Sequence, residues 1–178
     1  MDFFRKMKGV TKSPPRVSLF EMVLSWIGAF LGIAGVALIH YHLFSGTDRV
    51  MIIGSFGASA VLIYGAVRSP LAQPRNLMGG HILSALIGVA AYKLFPGQIT
   101  VAAAVAVATA IVVMHATKTL HPPGGATALI AVIGGTQIHQ LGFWYTIVPA
   151  GLGAAVMLVI ALVINNIPAS RRYPEFWF

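Results

Sequence analysis

A chain of 178 residues with 57% hydrophobic and 9% charged side chains and a mean hydropathy of +0.83 is far poorer in charge than soluble domains, which carry about a quarter charged residues. Its surplus apolar surface must face lipid, so the composition predicts a polytopic α-helical membrane protein of about five to seven passes at ~20 residues each, with no room for a separate soluble domain. The net charge of +8 requires no nucleic-acid partner, because basic residues set membrane topology, and zero cysteine excludes disulfides, thiol chemistry and Cys-ligated metal.

Residues 1–18 read as a basic tail, with Pro14 and Pro15, that acts as a topology signal rather than a binding site. The first apolar segment lies too far from residue 1, and is too long, for a cleaved signal peptide. The charges then measure out the membrane portion: 26 uncharged residues separate Glu21 from Asp48, 18 separate Arg49 from Arg68, 17 separate Arg75 from Lys93 and 24 separate Lys93 from Lys118. A further 52 separate Lys118 from Arg171, enough for two passes. These intervals predict six hydrophobic segments at 19–44, 50–67, 78–95, 98–118, 122–135 and 143–165, within a membrane domain over 19–166 and before a tail over 167–178. If residue 1 is cytoplasmic, ten of the twelve Lys and Arg residues fall inside and only Arg49 and Lys93 outside, so both termini are expected in the cytoplasm. Trp26, Trp144, Tyr145, Tyr173 and Trp177 are expected at the interfaces.

The second and fifth segments share a local pattern. Gly54-Ser55-Phe56-Gly57-Ala58-Ser59-Ala60 and Gly124-Gly125-Ala126-Thr127-Ala128 both place Gly-Ala-Ser/Thr-Ala before an aliphatic run, and each copy is flanked by a longer hydrophobic segment on either side. Three segments per unit is an odd number, so a duplicated chain has its second unit inverted about an axis in the membrane plane. Residues 50–53 are too few to form a helix before Gly54, and Pro122-Pro123 cannot carry one into Gly124. Each segment is therefore expected to be an extended stretch followed by a half-helix, a backbone tolerated in a membrane only where protein buries it or a cavity solvates it. A half-helix start carries free N–H groups and about half a positive charge, which favours an anion. Gly32, Gly35, Gly88, Gly151 and Gly153, with no proline or polar neighbour, read instead as helix-packing positions.

The four acids, Asp2, Glu21, Asp48 and Glu175, all sit at segment ends or in tails. Cation-coupled carriers commonly hold their ion with buried carboxylates, so this inventory suits an anion pathway and leaves histidine as the proton-linked group, with an ordinary pKa of about 6.5.

The stretch His115-Ala116-Thr117-Lys118-Thr119-Leu120-His121-Pro122-Pro123-Gly124-Gly125-Ala126-Thr127-Ala128-Leu129 resembles the signature of the HPP family of integral membrane proteins, named for its His-Pro-Pro triplet. Gly54–Ala58, Ser69-Pro70-Leu71-Ala72-Gln73-Pro74-Arg75-Asn76 and Gly79-Gly80-His81 are similar to that family's pattern too, and the resemblance spans about residues 18–166. It implies nitrite transport, the activity described for plastid and cyanobacterial members, and points to a bacterial inner (plasma) membrane. Some members carry a soluble regulatory domain; none is expected within these residues.

The residue pattern and the resemblance together predict a small-anion transporter, not an enzyme, with no cofactor or metal and nitrite as its substrate at a midplane site. Candidate anion contacts are Ser55, Gly57, Ala58 and Ser59 from one half-helix and Gly124, Gly125, Ala126 and Thr127 from the other, with His81, His115, Lys118 and His121 as titratable or cationic neighbours. His121 either takes a proton or braces the turn. His115 and Lys118, three apart, would share a helix face, although Lys118 could instead snorkel to the interface. Arg75 and Asn76 belong to a Pro-rich loop over 69–76 that ties helix ends or guards the inner mouth, and His40, His42 and His139 are expected at the outer interface. Two rival classes stay open: a sensor or structural subunit, and a lipid- or quinone-modifying enzyme, which would lack a His-Glu-x-x-His motif and an intramembrane acid. The small-residue faces are compatible with a homodimer.

Overall fold

Ser18 starts the first membrane helix. Its hydroxyl accepts from the Glu21 amide at 3.2 Å, and the acid in the first turn complements the helix dipole. In the computed structural model, which describes residues 3–44 and 53–178, this helix α1 spans Leu19–Ile39 and widens into a π-turn over His40–Phe44. The short α2, Ser55–Ala60, ends in a second π-turn, Val61–Gly65. Then come α3 (Pro74–Leu94), α4 (Ile99–Ala116), α5 (Pro122–Ile133), α6 (Gly135–Leu141) and α7 (Leu152–Ile164). The fold is all-helical among the described residues. Four stretches are long and apolar enough to cross a membrane, Leu19–His42, Pro74–Leu94, Ile99–Ala116 and Thr146–Ile164, while Ser55–Gly65 and Pro122–Ile133 are shorter apolar helices. Asp48, Arg49 and the first residues of the expected second segment lie outside the described residues.

Several local expectations are corrected. Pro74 is the first residue of α3, where its missing amide costs nothing, so Arg75 and Asn76 occupy a helical first turn, not a loop, and His81 lies two turns into the helix. Helix α4 stops at Ala116, and Lys118 adopts φ 57; His115 and Lys118 therefore do not share a helix face. The last segment is broken at Val148, whose φ of −132 and ψ of 121 are extended, ahead of Pro149. Tyr145 and Tyr173 are buried, not interfacial, whereas Trp26 and Trp144 are exposed.

Helix α3 joins two cores. One packs α1, α2, α3 and α7 around Phe56, Ile63, Tyr64 and Met157; the other packs α3, α4 and α5 through Ala102, Ala106, Ala110, Met114 and Ala128. Small residues set the helix separations. A Cβ at Gly88 would stand 2.5 Å from the Ala128 carbonyl, and Gly153 makes room for the Phe56 ring. The Tyr64 ring lies over Gly28 and Gly32, and its hydroxyl donates to the Met157 carbonyl at 3.0 Å. The packing expected for Gly32, Gly35, Gly88 and Gly153 is thus what these positions do.

One end of the bundle is tied by Arg171, which meets Glu21 at 2.6 Å and donates to the Tyr64 carbonyl, Asn165 Oδ1 and Ser25 Oγ. There Arg68 donates to the Ser170 carbonyl at 3.0 Å and the Tyr173 hydroxyl to the Ala72 carbonyl at 2.8 Å. The start of α1, the loop 66–73 and the C-terminal tail therefore share this basic end.

Candidate functional site

Proline fixes where α5 begins. Pro122 and Pro123 fill its first positions and His121 before them is extended, with φ −140 and ψ 105, as residues preceding proline prefer. Helix α2 begins at Ser55, just beyond Gly54. The two starts overlap: Ser59 Oγ is 2.9 Å from His121 Nε2, and Ser55 Oγ is 2.9 Å from Thr127 Oγ1. The pairing of 59 with 121 and of 55 with 127 makes the short helices antiparallel, side by side along their first turns. From there α2 runs to the basic end, where Ser25 Oγ donates to the Tyr64 carbonyl at 2.8 Å, and α5 runs away from it.

His81 completes the contact. Its Nε2 is 2.7 Å from Ser59 Oγ and its Nδ1 is 2.7 Å from Thr127 Oγ1. His121 Nδ1 is 2.8 Å from the Leu71 carbonyl. Ser55, Ser59, His81, His121 and Thr127 are all fully buried, so these contacts form one continuous polar chain, Leu71 carbonyl to His121 to Ser59 to His81 to Thr127 to Ser55, inside an apolar bundle. Burial of so many polar groups is tolerable because each meets a partner. Two further contacts hold the chain in place, from the Tyr145 hydroxyl to the Thr127 carbonyl at 3.1 Å and from Asn76 Nδ2 to the Leu120 carbonyl at 2.8 Å. His81 lies seven residues along α3, about 10 Å from its first residue at 1.5 Å per residue. The cluster thus lies close to the middle of that helix, on the side of the basic end.

Of the residues singled out from sequence, Ser55, Ser59, His81, His121 and Thr127 converge. Gly57 and Ala58 are exposed on the opposite face of α2, as the helical period requires of residues between positions 55 and 59. Gly124 is a packing residue: a Cβ there would stand 2.7 Å from the Gly80 carbonyl and 2.8 Å from Ser84 Oγ. Gly125 and Ala126 are half-buried along a groove beside α4, and His115 and Lys118 are exposed near the end of α4. Several amides in the two starts are already engaged, Phe56 with the Ile53 carbonyl, Gly57 with Gly54 and Gly124 with His121. The hydroxyls and imidazoles, rather than those amides, are the groups the two helices present to each other. Tyr145 and the Leu71 carbonyl escaped sequence reasoning, since only tertiary structure brings them here.

A second feature lies close by. A pocket of about 470 Å³ at the basic end is lined by Arg68, Arg171, Arg172, Ser69 and Glu21 among others. The loop that lines this pocket through Ser69 touches the buried chain through Leu71.

Comparison with known proteins agrees with this architecture. The model of the family described as HPP, transmembrane region, matches residues 14–174. The chain belongs to this family and is an integral membrane protein. It is also similar to two transmembrane proteins of Dictyostelium discoideum, at 49% identity covering all of this chain and 58% of the relative, and at 45% identity covering all of this chain and 64% of the relative. The chain thus spans about three fifths of the length of these curated relatives. No solved structure matches it.

Proposed function

We propose that the protein moves a small monovalent anion across the membrane, with nitrite as the best-supported substrate, and that the Ser55, Ser59, Thr127, His81 and His121 cluster is where the anion is held. The observation that carries this reading is the buried polar chain where two short helices start. A bundle that had only to be stable would gain by filling these positions with apolar side chains, so polar groups concentrated inside a membrane domain argue for a pathway. Their chemistry favours negative charge: hydroxyls and imidazoles can all donate, and of the described acids Glu21 pairs with Arg171 at the basic end and Glu175 lies in the C-terminal tail. Nitrite comes from the resemblance to plastid and cyanobacterial members of the family.

In this reading the chain is two inverted units of three segments, with α2 and α5 as the equivalent half-helices, and the basic end faces the cytoplasm, which in a bacterium is the inner side of the plasma membrane. The arginine-lined pocket then serves as the cytoplasmic vestibule, raising the local anion concentration. Lys118 adds positive charge near that mouth, and neither it nor His115 makes contacts in the cluster. With the cluster bonded to itself, substrate must displace hydrogen bonds between α2 and α5, which is the behaviour of a carrier and not of an open pore.

Reconstitution of the purified chain into liposomes tests this. Protein-dependent uptake of nitrite above that of protein-free vesicles is expected, and absence of flux for nitrite, nitrate, formate and chloride alike would shift the assignment to a sensor or structural subunit.

A further inference from the structure

The hydrogen-bond partners of the buried chain limit how many protons it can hold. The Leu71 carbonyl can only accept, so His121 must donate from Nδ1. If His121 is neutral, its Nε2 is bare and takes the Ser59 hydroxyl proton. Ser59 then has only lone pairs left for His81, which must donate from Nε2. His81 Nδ1 is thereby bare and takes the Thr127 proton, which Thr127 otherwise gives to Ser55 Oγ at 2.9 Å. One carbonyl fixes both tautomers and the direction of the Ser59 and Thr127 hydroxyls.

Adding one proton gives a second arrangement in which every donor of the chain again meets an acceptor. His121 then donates from both nitrogens, Ser59 turns to donate to His81 Nε2, His81 donates from Nδ1 to Thr127, and Thr127 donates to Ser55 or to the Pro123 carbonyl at 3.2 Å. The charge can move to His81 by proton hops through Ser59 with no heavy-atom movement. A second proton fits badly. Both Nε2 atoms would then point N–H groups at Ser59, whose own proton has no acceptor within the chain, and two cationic rings would stand 5.2 Å apart.

We propose that His81, Ser59 and His121 form a store for one proton, switching between a neutral and a singly protonated state, and that this proton accompanies the anion. The inference rests on the transport reading above and adds its coupling: one proton with one monovalent anion carries no net charge across the membrane. The proton comes from water when the cluster opens to one side and returns to water on the other, so no other reactant is needed. The surroundings leave the pair to titrate by itself. Helix α2 faces it with Ser55, Ser59 and the Phe56 ring, α5 with Thr127, and the stretch before Thr146 with Tyr145, whose hydroxyl donates to a carbonyl. From α4 the nearby side chain is Met114, which accepts from Ser84 of α3, and α7 presents Gly153 to Phe56. The adjacent loop gives the Leu71 carbonyl, and the Arg75 guanidinium of α3 lies over Phe176.

The test is nitrogen NMR of the full chain, labelled at histidine and held in lipid nanodiscs, titrated from pH 8 to pH 3.5. At pH 8, His121 is expected to carry its proton on Nδ1 and His81 on Nε2. On acidification both should move together in a single step that takes up one proton per chain, apart from the other four histidines, and Ser59→Ala should abolish the joint step. Protonation of His121 at Nε2 in the neutral state, two separate full steps, or two imidazoles that stay neutral throughout would each overturn the proposal. Nitrite uptake driven by a pH gradient, measured alongside, separates the two readings. A joint titration without flux keeps the proton store and removes transport, and flux without a joint titration does the reverse.

Discussion

His121 donates from Nδ1 to the Leu71 carbonyl across 2.8 Å, and this contact fastens the start of α5 to the loop that leads into α3. Replacing His121 with alanine leaves that carbonyl and the Ser59 hydroxyl short of a partner. A buried polar group stranded in this way costs about 1–3 kcal/mol. His121→Ala is expected to lower the thermal unfolding midpoint in detergent by several degrees and to reduce anion flux to background; an unchanged midpoint would show that the contact contributes little.

Two glycines of the same family pattern should respond in opposite ways. A Cβ at Gly124 meets the Gly80 carbonyl, Ser84 and Met114 within 2.9 Å, whereas nothing lies within 4 Å of one at Gly57. Gly124→Ala is therefore expected to fold poorly, with overpacking costing about 1–3 kcal/mol. Gly57→Ala should be neutral or stabilise by up to about 1 kcal/mol, since alanine is the better helix former. Yields of monodisperse protein and thermal midpoints of the two variants check the contrast.

Lys118 ends α4 in the left-handed region at φ 57, and the following amide, Thr119 N, reaches back to the Met114 carbonyl at 2.8 Å. Glycine normally takes this position because a side chain costs about 1–2 kcal/mol there. Lys118→Gly is expected to raise stability by about 1 kcal/mol, read as a higher unfolding midpoint, and a drop would mean that the lysine side chain makes a contact worth more than the strain.

The Arg171 side chain is 5% exposed and that of Glu21 32%, at 2.6 Å from each other. Removing the guanidinium leaves Glu21, the Tyr64 carbonyl and Ser25 without their shared donor. Because Glu21 still reaches solvent, the expected cost of Arg171→Ala is about 2 kcal/mol rather than that of a fully buried pair. Faster proteolysis of the C-terminal tail in Arg171→Ala than in the wild type would report its release, and equal rates would argue against the tie.

Much of the helix content is legible in the spacing of charge. Intervals free of Lys, Arg, Asp and Glu mark α1, α3 and α4 to within a few residues, because each charge is costly inside lipid. Where α3 begins is not legible in that spacing: Pro74 reads as a loop residue until it is seen that a first helical turn has no use for its amide. The break at Val148 is similarly hidden, since Pro149 looks like one tolerated proline in a long apolar run. For the site, hydroxyls and a histidine beside glycine and proline identify Ser55, Ser59, Thr127 and His121. The helical period already separates Ser55 and Ser59 from Gly57 and Ala58, so the outward face of that pair was within reach of sequence reasoning. Leu71 and Tyr145 were not, as a backbone carbonyl and a tyrosine in a distant segment carry no local signal of what they will touch.

The central claim is that an anion passes through the hydroxyls and imidazoles between α2 and α5. It is tested most directly by nitrite uptake into liposomes holding equal amounts of folded wild-type, Ser59→Ala and Thr127→Val protein. The account predicts clear uptake by the wild type and a loss of at least about tenfold in each variant, which corresponds to about 1.4 kcal/mol in the rate-limiting barrier. Uptake at the wild-type rate in both variants would place the pathway elsewhere in the protein.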